Sequence, residues 1–131
     1  MNYRNLEKLM KNDRNEANYV SIPKYVLRRL LASALKSKNL FDERFYLETY
    51  PDIAPAIRSK KVKSALDHYL DTGYYENRMP RKLIVDERYY LQENPDVAAA
   101  IKKGRLKNAQ EHFNQGGFME GRLPFKDFAL F

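Results

Sequence analysis

Two histidines are the residues most able to do chemistry in this chain. His68 and His112 each follow an acidic residue, Asp67 and Glu111, and a histidine beside a carboxylate can ligate a metal ion or relay a proton. They lie 44 residues apart, at matching positions of a duplicated segment. Stacked copies would hold them about one repeat apart, beyond the reach of one ion. We therefore predict that each histidine makes structural hydrogen bonds near the core and that the chain has no metal site.

Acidic residues repeat in the same way. Paired carboxylates can perform acid and base catalysis, but catalysis needs one asymmetric site, so duplicated carboxylates indicate helix caps and ion pairs. Cysteine is absent, which excludes thiolate chemistry. The sequence also lacks a phosphate-binding glycine loop, a nucleophile elbow and an HExxH helix. We predict that the chain is not an enzyme and needs no cofactor. The duplicated acidic residues are Asp42, Glu43, Asp52 and Glu76, matched by Asp86, Glu87, Asp96 and Glu120.

Basic residues form the best candidate for an anion-binding surface. They follow the second predicted helix of each copy, and a stack would set the two basic loops side by side at a helix spacing of about 10 Å. Such a stripe could bind a polyanion, either nucleic acid or acidic polysaccharide. The alternative is that these cations complement a helix dipole, and no aromatic residue interleaves them for base stacking. The candidates are Arg58, Lys60, Lys61, Lys63, Lys102, Lys103, Arg105 and Lys107.

The positive charge is concentrated near the N-terminus. The chain has a net charge of +7, and residues 1–39 hold nine Lys or Arg against three Asp or Glu. A basic arm could contact an anionic surface or could simply increase solubility. Residues 1–23 are predicted to be this arm and a linker, with a short frayed helix over residues 2–10.

An internal repeat organises the rest of the 131 residues, which suit one domain. Residues 40–80 (the first copy) match residues 84–124 (the second copy) without a gap, and 17 of the 41 paired positions are identical. A period of 44 is typical of helical repeats built from two or three helices. Each copy is therefore predicted to form three short helices.

Local residues predict where these helices begin and end. Asp42 and Asp86 are N-caps for the first helix, with a hydrophobic staple from Phe41 to Tyr46 in the first copy. Pro51 and Pro95 open the second helix, which Asn94 caps in the second copy. Ser64 and Asn108 have capping-box spacing before the third helix. Gly73 and Gly117 are predicted to end that helix, in the left-handed conformation.

The predicted fold is all-α: two tandem three-helix repeats stacked as a short solenoid-like domain, with an N-terminal capping helix over residues 24–38. Leucines at helical spacing in residues 24–38 form one apolar face. The helical domain spans residues 24–131. Its apolar tail, residues 125–131, is expected to fold back onto the second copy or to enter a partner. The candidate docking residues of the tail are Phe125, Phe128 and Phe131.

The second copy resembles a known bacterial helical repeat whose signature runs Y-L-x-x-N-P-D-V-A-A, then H-Y or H-F, then G-x-x-E-G-R-x-P. The first copy departs from it at Tyr50 and Asn77, where asparagine and glycine are usual. Such modules occur beside glycosyltransferases that build surface polysaccharides and within secreted calcium-binding repeat proteins. The resemblance implies a non-catalytic accessory domain, because the chain has neither a glycosyltransferase domain nor calcium-binding nonapeptides. The matching residues are Tyr90, Leu91, Asn94, Pro95, Asp96, Val97, His112, Phe113, Gly117, Glu120, Gly121, Arg122 and Pro124.

Two functional hypotheses follow. The first is a macromolecular docking or scaffold module with a protein partner, associated with surface polysaccharide synthesis. The second is binding of nucleic acid or another polyanion through the arm and the basic loops. A membrane-surface role for residues 24–38 is disfavoured because the folded body needs their apolar face. No apolar run reaches the roughly 20 residues of a membrane span, so a cytoplasmic location is expected. The oligomeric state is left open.

Overall fold

Helices account for all the regular structure in the computed structural model, which describes residues 3–12 and 21–128. No strand occurs within these two ranges, so the predicted all-α class is confirmed. Phe131 and most of the predicted linker lie outside the described residues. The elements are α1 (Tyr3–Asn12), α2 (Lys24–Ser37), α3 (Glu43–Thr49), α4 (Ile53–Arg58), α5 (Ala65–His68), the π-helical π1 (Tyr69–Gly73), α6 (Glu87–Glu93), α7 (Pro95–Lys102), α8 (Ala109–His112) and π2 (Phe113–Gly117).

The two copies have the same elements in the same order. The caps of the first helices were predicted correctly: the Asp42 side chain accepts a hydrogen bond from the Phe45 amide at 2.9 Å, and Asp86 accepts one from Tyr89 at 3.1 Å. Ser64 and Asn108 cap the third helices in the same way. These contacts are local, because a cap needs only a side-chain oxygen beside the free amides of the first turn.

Asn94 is the N-cap residue of α7, as predicted, but its side chain makes no cap hydrogen bond. The Asn94 amide group instead donates to the Tyr90 carbonyl at 2.7 Å, and its oxygen accepts from Arg122 at 2.8 Å. Pro95 occupies the start of α7 as predicted, where the missing amide proton costs nothing. The matching prediction for Pro51 was wrong, because α4 begins two residues later, at Ile53.

The predicted left-handed conformation of Gly73 and Gly117 was wrong. Both glycines are the last residues of the π-helical segments, as predicted for the helix ends, but neither has a positive φ. The left-handed residues come four positions later, at Asn77 (φ 55°) and Gly121 (φ 78°). There the amide of Arg78 donates to the Gly73 carbonyl at 2.8 Å, which is the long-range bond of a Schellman ending. A hydrogen-bonded turn therefore follows each glycine before the chain reverses.

A second pair of Schellman endings closes α4 and α7. Lys60 (φ 58°) and Gly104 (φ 70°) are the left-handed residues, and the next amide in each case bonds back to a carbonyl five residues earlier. Glycine enters this conformation freely, whereas the Cβ of a lysine opposes it. The first copy therefore carries a strained lysine where the second has a glycine.

Buried side chains form two clusters, one centred on each copy. α2 contributes Leu31 and Leu35 to the first cluster, while Phe45 of the first copy packs against the second cluster. From the tail, Phe128 also packs, partly buried, against the second cluster. The other buried members of the first are Tyr46, Ile53, Ala65, Tyr69, Leu70 and Tyr74, and the second consists of Met79, Leu83, Tyr90, Val97, Ala109, Phe113 and Phe118.

The strain at Lys60 predicts opposite effects for two matched substitutions. Lys60→Gly should raise the free energy of unfolding by roughly 0.5–1 kcal/mol, since relief of the Cβ clash outweighs the added freedom of the unfolded chain. Gly104→Lys should lower it by about 1 kcal/mol, because no atom lies within 4 Å of a Cβ there and only the backbone conformation matters. Urea denaturation of both variants measures the difference. If both substitutions shifted the free energy of unfolding in the same direction, strain at Lys60 would not be the cause.

Candidate functional site

Each copy contains a tyrosine, a histidine and a glycine in contact, which we call the Tyr–His–Gly cluster. The Tyr46 hydroxyl lies 2.9 Å from Nδ1 of His68, and the Tyr90 hydroxyl lies 2.9 Å from Nδ1 of His112. Burial raises the pKa of the Tyr90 hydroxyl to about 12 and shifts the Tyr46 pKa in the same direction, so both hydroxyls stay protonated at neutral pH. The histidines thus serve their own copies, as predicted, and the hydrogen bond joins the first helix to the third.

The glycine of each cluster makes room for the tyrosine hydroxyl. A Cβ built on Gly73 would overlap the Tyr46 hydroxyl oxygen, and one on Gly117 would overlap that of Tyr90. Both glycines lie in the wide turn of a π-helix, which brings the backbone against the hydroxyl. The duplicated glycine is therefore explained by close approach rather than by a left-handed turn.

An arginine clamp fixes the turn that follows each third helix. Arg122 donates to Asp96 at 2.9 and 2.8 Å and to Glu120 at 2.7 Å. Because of these hydrogen bonds to Arg122, the pKa of the Asp96 carboxyl lies below its ordinary value. The first copy repeats the pattern with Arg78, which bonds Glu76 at 2.7 Å. The prediction that duplicated acidic residues form ion pairs is confirmed for Glu76 and Glu120.

The first copy replaces one clamp contact by an aromatic one. Tyr50 stands where the second copy has Asn94, and the guanidinium of Arg78 lies 4.8 Å from its ring centroid. The Tyr50 hydroxyl accepts a hydrogen bond from the Met79 amide at 2.8 Å. This departure from the repeat pattern therefore keeps Arg78 in place by different chemistry and adds an aromatic surface.

An open groove of about 560 Å³ lies between the two copies, beside this clamp. Met119, which is 57% exposed, and Phe118 line it from the second copy. The clamp carboxylates Asp52 and Glu76 also line it, with side chains 63% and 48% exposed. The lining is thus mainly apolar with an acidic edge. The first copy contributes Thr49, Tyr50, Pro51, Asp52, Glu76, Asn77, Arg78 and Met79, and the second contributes Asn114, Phe118 and Met119.

The eight basic-loop residues are all exposed, and none forms an ion pair with another described residue. Lys61 and Lys63 border a surface cavity of about 580 Å³. That cavity also contains Asp67 and Asp71, both bonded to Arg28 of α2. Two carboxylates in the cavity oppose entry of a phosphate, so the first loop is a weaker anion site than its lysines alone indicate.

Two of the three candidate docking residues of the tail, Phe125 and Phe128, lie within the described residues. Phe125 and Phe128 pack edge to face at 5.2 Å between ring centroids. Since Phe128 also contacts the second cluster, these described tail residues fold back on the second copy. That is one of the two alternatives that the sequence left open.

The groove residues were missed by sequence reasoning. Met79 and Phe118 are mostly buried in the second cluster, and Met119 stands where the first copy has Tyr75. Their one sequence signal is Tyr50, a departure from the repeat pattern at a position that turns out to line the groove.

Comparison with known proteins gives no relative: no protein-family model, no curated protein and no solved structure matches this chain. Within residues 3–12 and 21–128, no group of three or more histidine, cysteine or acidic side chains is placed to hold a metal ion. Over the same residues, no helix has the length and apolar character to cross a lipid bilayer.

The partly buried His68 predicts a loss of stability in mild acid. Burial, together with the positive charge of Arg78, lowers the pKa of His68 below its ordinary value of about 6.5. The unfolded state therefore binds more protons in this range, so the His68 contribution is complete above about pH 6.5 and is lost as the pH falls below it. Urea denaturation between pH 7.5 and 5.5 should show this decline.

His68→Asn removes the titrating group and keeps a polar partner for Tyr46. The decline of stability with falling pH should be smaller in this variant than in the unmodified chain. Identical pH profiles for the two chains would show that His68 is not held in its neutral form by the fold.

Proposed function

We propose that this chain is a non-catalytic docking module that captures a protein partner in the groove between its two copies. The observation that carries the proposal is the groove itself, where Met119 and Tyr50 leave apolar surface open beside an acidic edge. Large exposed apolar side chains lining a concave surface are typical of binding sites.

The polar side chains that could do chemistry are already engaged, which supports docking rather than catalysis. Arg78, which lines the groove, is shared between Asp52 and Glu76. Away from the groove, His68 and His112 bond to tyrosines. The engaged Arg78 holds the backbone on one side of the groove in a preformed shape. Preformed surfaces lose little conformational entropy when a partner binds.

The finer architecture belongs to the same proposal. We take the two copies to be stacked layers of a short solenoid, with α2 as the cap that covers Leu70 of the first copy. The matched caps, clamps and Tyr–His–Gly clusters at the same offset support this arrangement. The resemblance to bacterial repeats suggests a partner that works in surface polysaccharide assembly.

Site-specific crosslinking tests the groove. A photoreactive amino acid at position 119 of the full chain should capture a discrete partner from native lysate, because Met119 lies at the groove. Ile84 is the matched control, since it is equally apolar and 64% exposed but does not line the groove. Capture from position 119 alone, abolished by Tyr50→Asp, supports the proposal. The same products from both positions, or none from either, would contradict it.

Polyanion binding is a second candidate, favoured by the strained Lys60. Lys60 is left-handed at a position where the second copy has a glycine. This conformation costs a lysine about 1 kcal/mol. A functional need for positive charge would explain why a lysine is present there. The exposure of all eight basic-loop residues supports the same reading. The carboxylates Asp67 and Asp71 beside the first loop are the reason for ranking it second.

A salt titration tests this candidate with a matched control. Changing Lys60, Lys61, Lys102 and Lys103 to glutamine should remove salt-sensitive binding to heparin or DNA, because each phosphate contact steepens the salt dependence. The control changes Lys36, Lys38, Lys82 and Lys126, which are exposed elsewhere, and removes the same charge. Equal loss in both variants would mean that net charge alone is responsible, and the loops would then have no specific role.

A further inference from the structure

Helix α1 lies across both copies, although it belongs to neither. Its contacts fall on matched turns, one after the third helix of each copy. We call the contacted surface the turn strip and define it by the residues Tyr74, Tyr75, Asn77, Met119 and Gly121. Asn77 and Gly121 are the left-handed residues of the two turns.

An aromatic side chain fastens α1 to the first copy. The Tyr3 ring meets Tyr74 at 5.9 Å and Tyr75 at 5.1 Å between centroids, edge to face in both cases. This geometry places the positive edge of one ring against the negative face of the next. Tyr3 is itself partly buried against the first cluster.

Polar contacts join α1 to the rest of the strip, as far as the second copy. The Arg4 amide donates to the Asn77 side chain at 2.9 Å, and the Arg4 guanidinium donates to the Met119 carbonyl at 3.2 Å. Lys8 donates to the Glu120 carbonyl at 3.5 Å. A Cβ on Gly121 would overlap the Asn5 side chain, so the glycine permits that approach. The matched turns of the two copies thus both contact α1, but through different residues.

The cations of α1 are bound by backbone carbonyls of the strip and its flank. Arg4 donates to the Met119 carbonyl and Lys8 to the Glu120 carbonyl. The side chains of Glu76 and Glu120, each 48% exposed, flank the strip and are paired with the arginines of their own clamps. The strip therefore accepts a basic helix that carries an aromatic residue.

One buried atom stays without a partner beside α1. The Tyr74 hydroxyl is buried and has no hydrogen-bond partner, whereas the second copy has Phe118 at the matched position. A buried hydroxyl without a partner destabilises the state that encloses it. The Tyr74 ring lies against Tyr3, so α1, as docked, leaves this penalty in place.

From these contacts we infer that the turn strip is a docking surface for a basic, amphipathic helix of a protein partner, and that α1 occupies it as an internal competitor. The inference rests on the proposed docking function and adds the chemistry of the partner. A partner helix that supplies a polar group to the Tyr74 hydroxyl displaces α1, because it removes the penalty that α1 leaves. Binding at the strip is then coupled to release of α1.

A peptide-binding experiment tests the strip with the full chain. The probe is a fluorescent peptide of residues 1–12, and the variant Tyr3→Ala with Arg4→Ala loosens α1 in the chain. The loosened chain should bind the probe at least about tenfold more tightly than the unmodified chain, in which α1 competes. A peptide with Tyr3→Ala and Arg4→Glu is the control and should bind neither chain. Equal affinity of the probe for both chains would overturn the inference.

Two further variants keep the test independent of misfolding. Asn77→Gly, added to the loosened chain, retains the left-handed turn but removes the acceptor for Arg4, and it should weaken probe binding about fivefold or more. Tyr74→Phe, which copies Phe118, should slow hydrogen exchange of the α1 amides by about fivefold or more in the full chain. Unchanged probe binding after the first change, or faster exchange after the second, would refute the assignment.

The outcomes separate this inference from the docking proposal. Probe binding depends on this chain alone, so it can succeed even if position 119 captures no partner from lysate. If the unmodified chain forms a concentration-dependent dimer by exchanging α1, the strip serves self-association, and the inference of a separate partner is wrong.

Discussion

A buried tyrosine hydroxyl is the constraint on which the rest of this structure depends. In each copy it is enclosed between a histidine nitrogen and the backbone of a glycine, and loss of its hydrogen bond would destabilise the core. The tyrosine belongs to the first helix of the copy, while the histidine and glycine belong to the third. One hydrogen bond and one close approach therefore set how the two helices meet. The π-helical turn at the glycine brings its backbone to the required distance.

The arginine clamps extend this constraint to the surface. Each clamp ties the turn after the third helix to the start of the second, so the turn has a defined shape on both copies. Both the groove and the turn strip are built on these turns. The docking surfaces that we propose would thus be shaped by residues whose polar groups are already engaged in hydrogen bonds and ion pairs.

Local chemistry was predictable from the sequence, and contacts between distant residues were not. Asp42 and Ser64 predicted helix starts correctly because an N-cap involves only the next three residues. The left-handed conformation predicted for Gly73 was wrong because the contact that requires a glycine there is made by the Tyr46 hydroxyl, 27 residues away in the sequence. The predicted side-chain cap at Asn94 is absent because Arg122, 28 residues further on, donates a hydrogen bond to the oxygen that would have capped α7. The seating of α1 on both copies depends on contacts more than 70 residues apart, which no local pattern encodes.

The enclosure of the hydroxyl is tested most directly by a double-mutant cycle on the free energy of unfolding. The cycle combines Gly73→Ala with Tyr46→Phe, and Gly116→Ala serves as the control because a Cβ there meets only the flexible end of Glu120, at 3.5 Å. In the unmodified background Gly73→Ala should cost about 1–3 kcal/mol through overpacking, well above the control. In the Tyr46→Phe background, with the hydroxyl gone, the cost should fall below about 1 kcal/mol. An equal cost in both backgrounds would show that the hydroxyl does not dictate the glycine, and the account would fail.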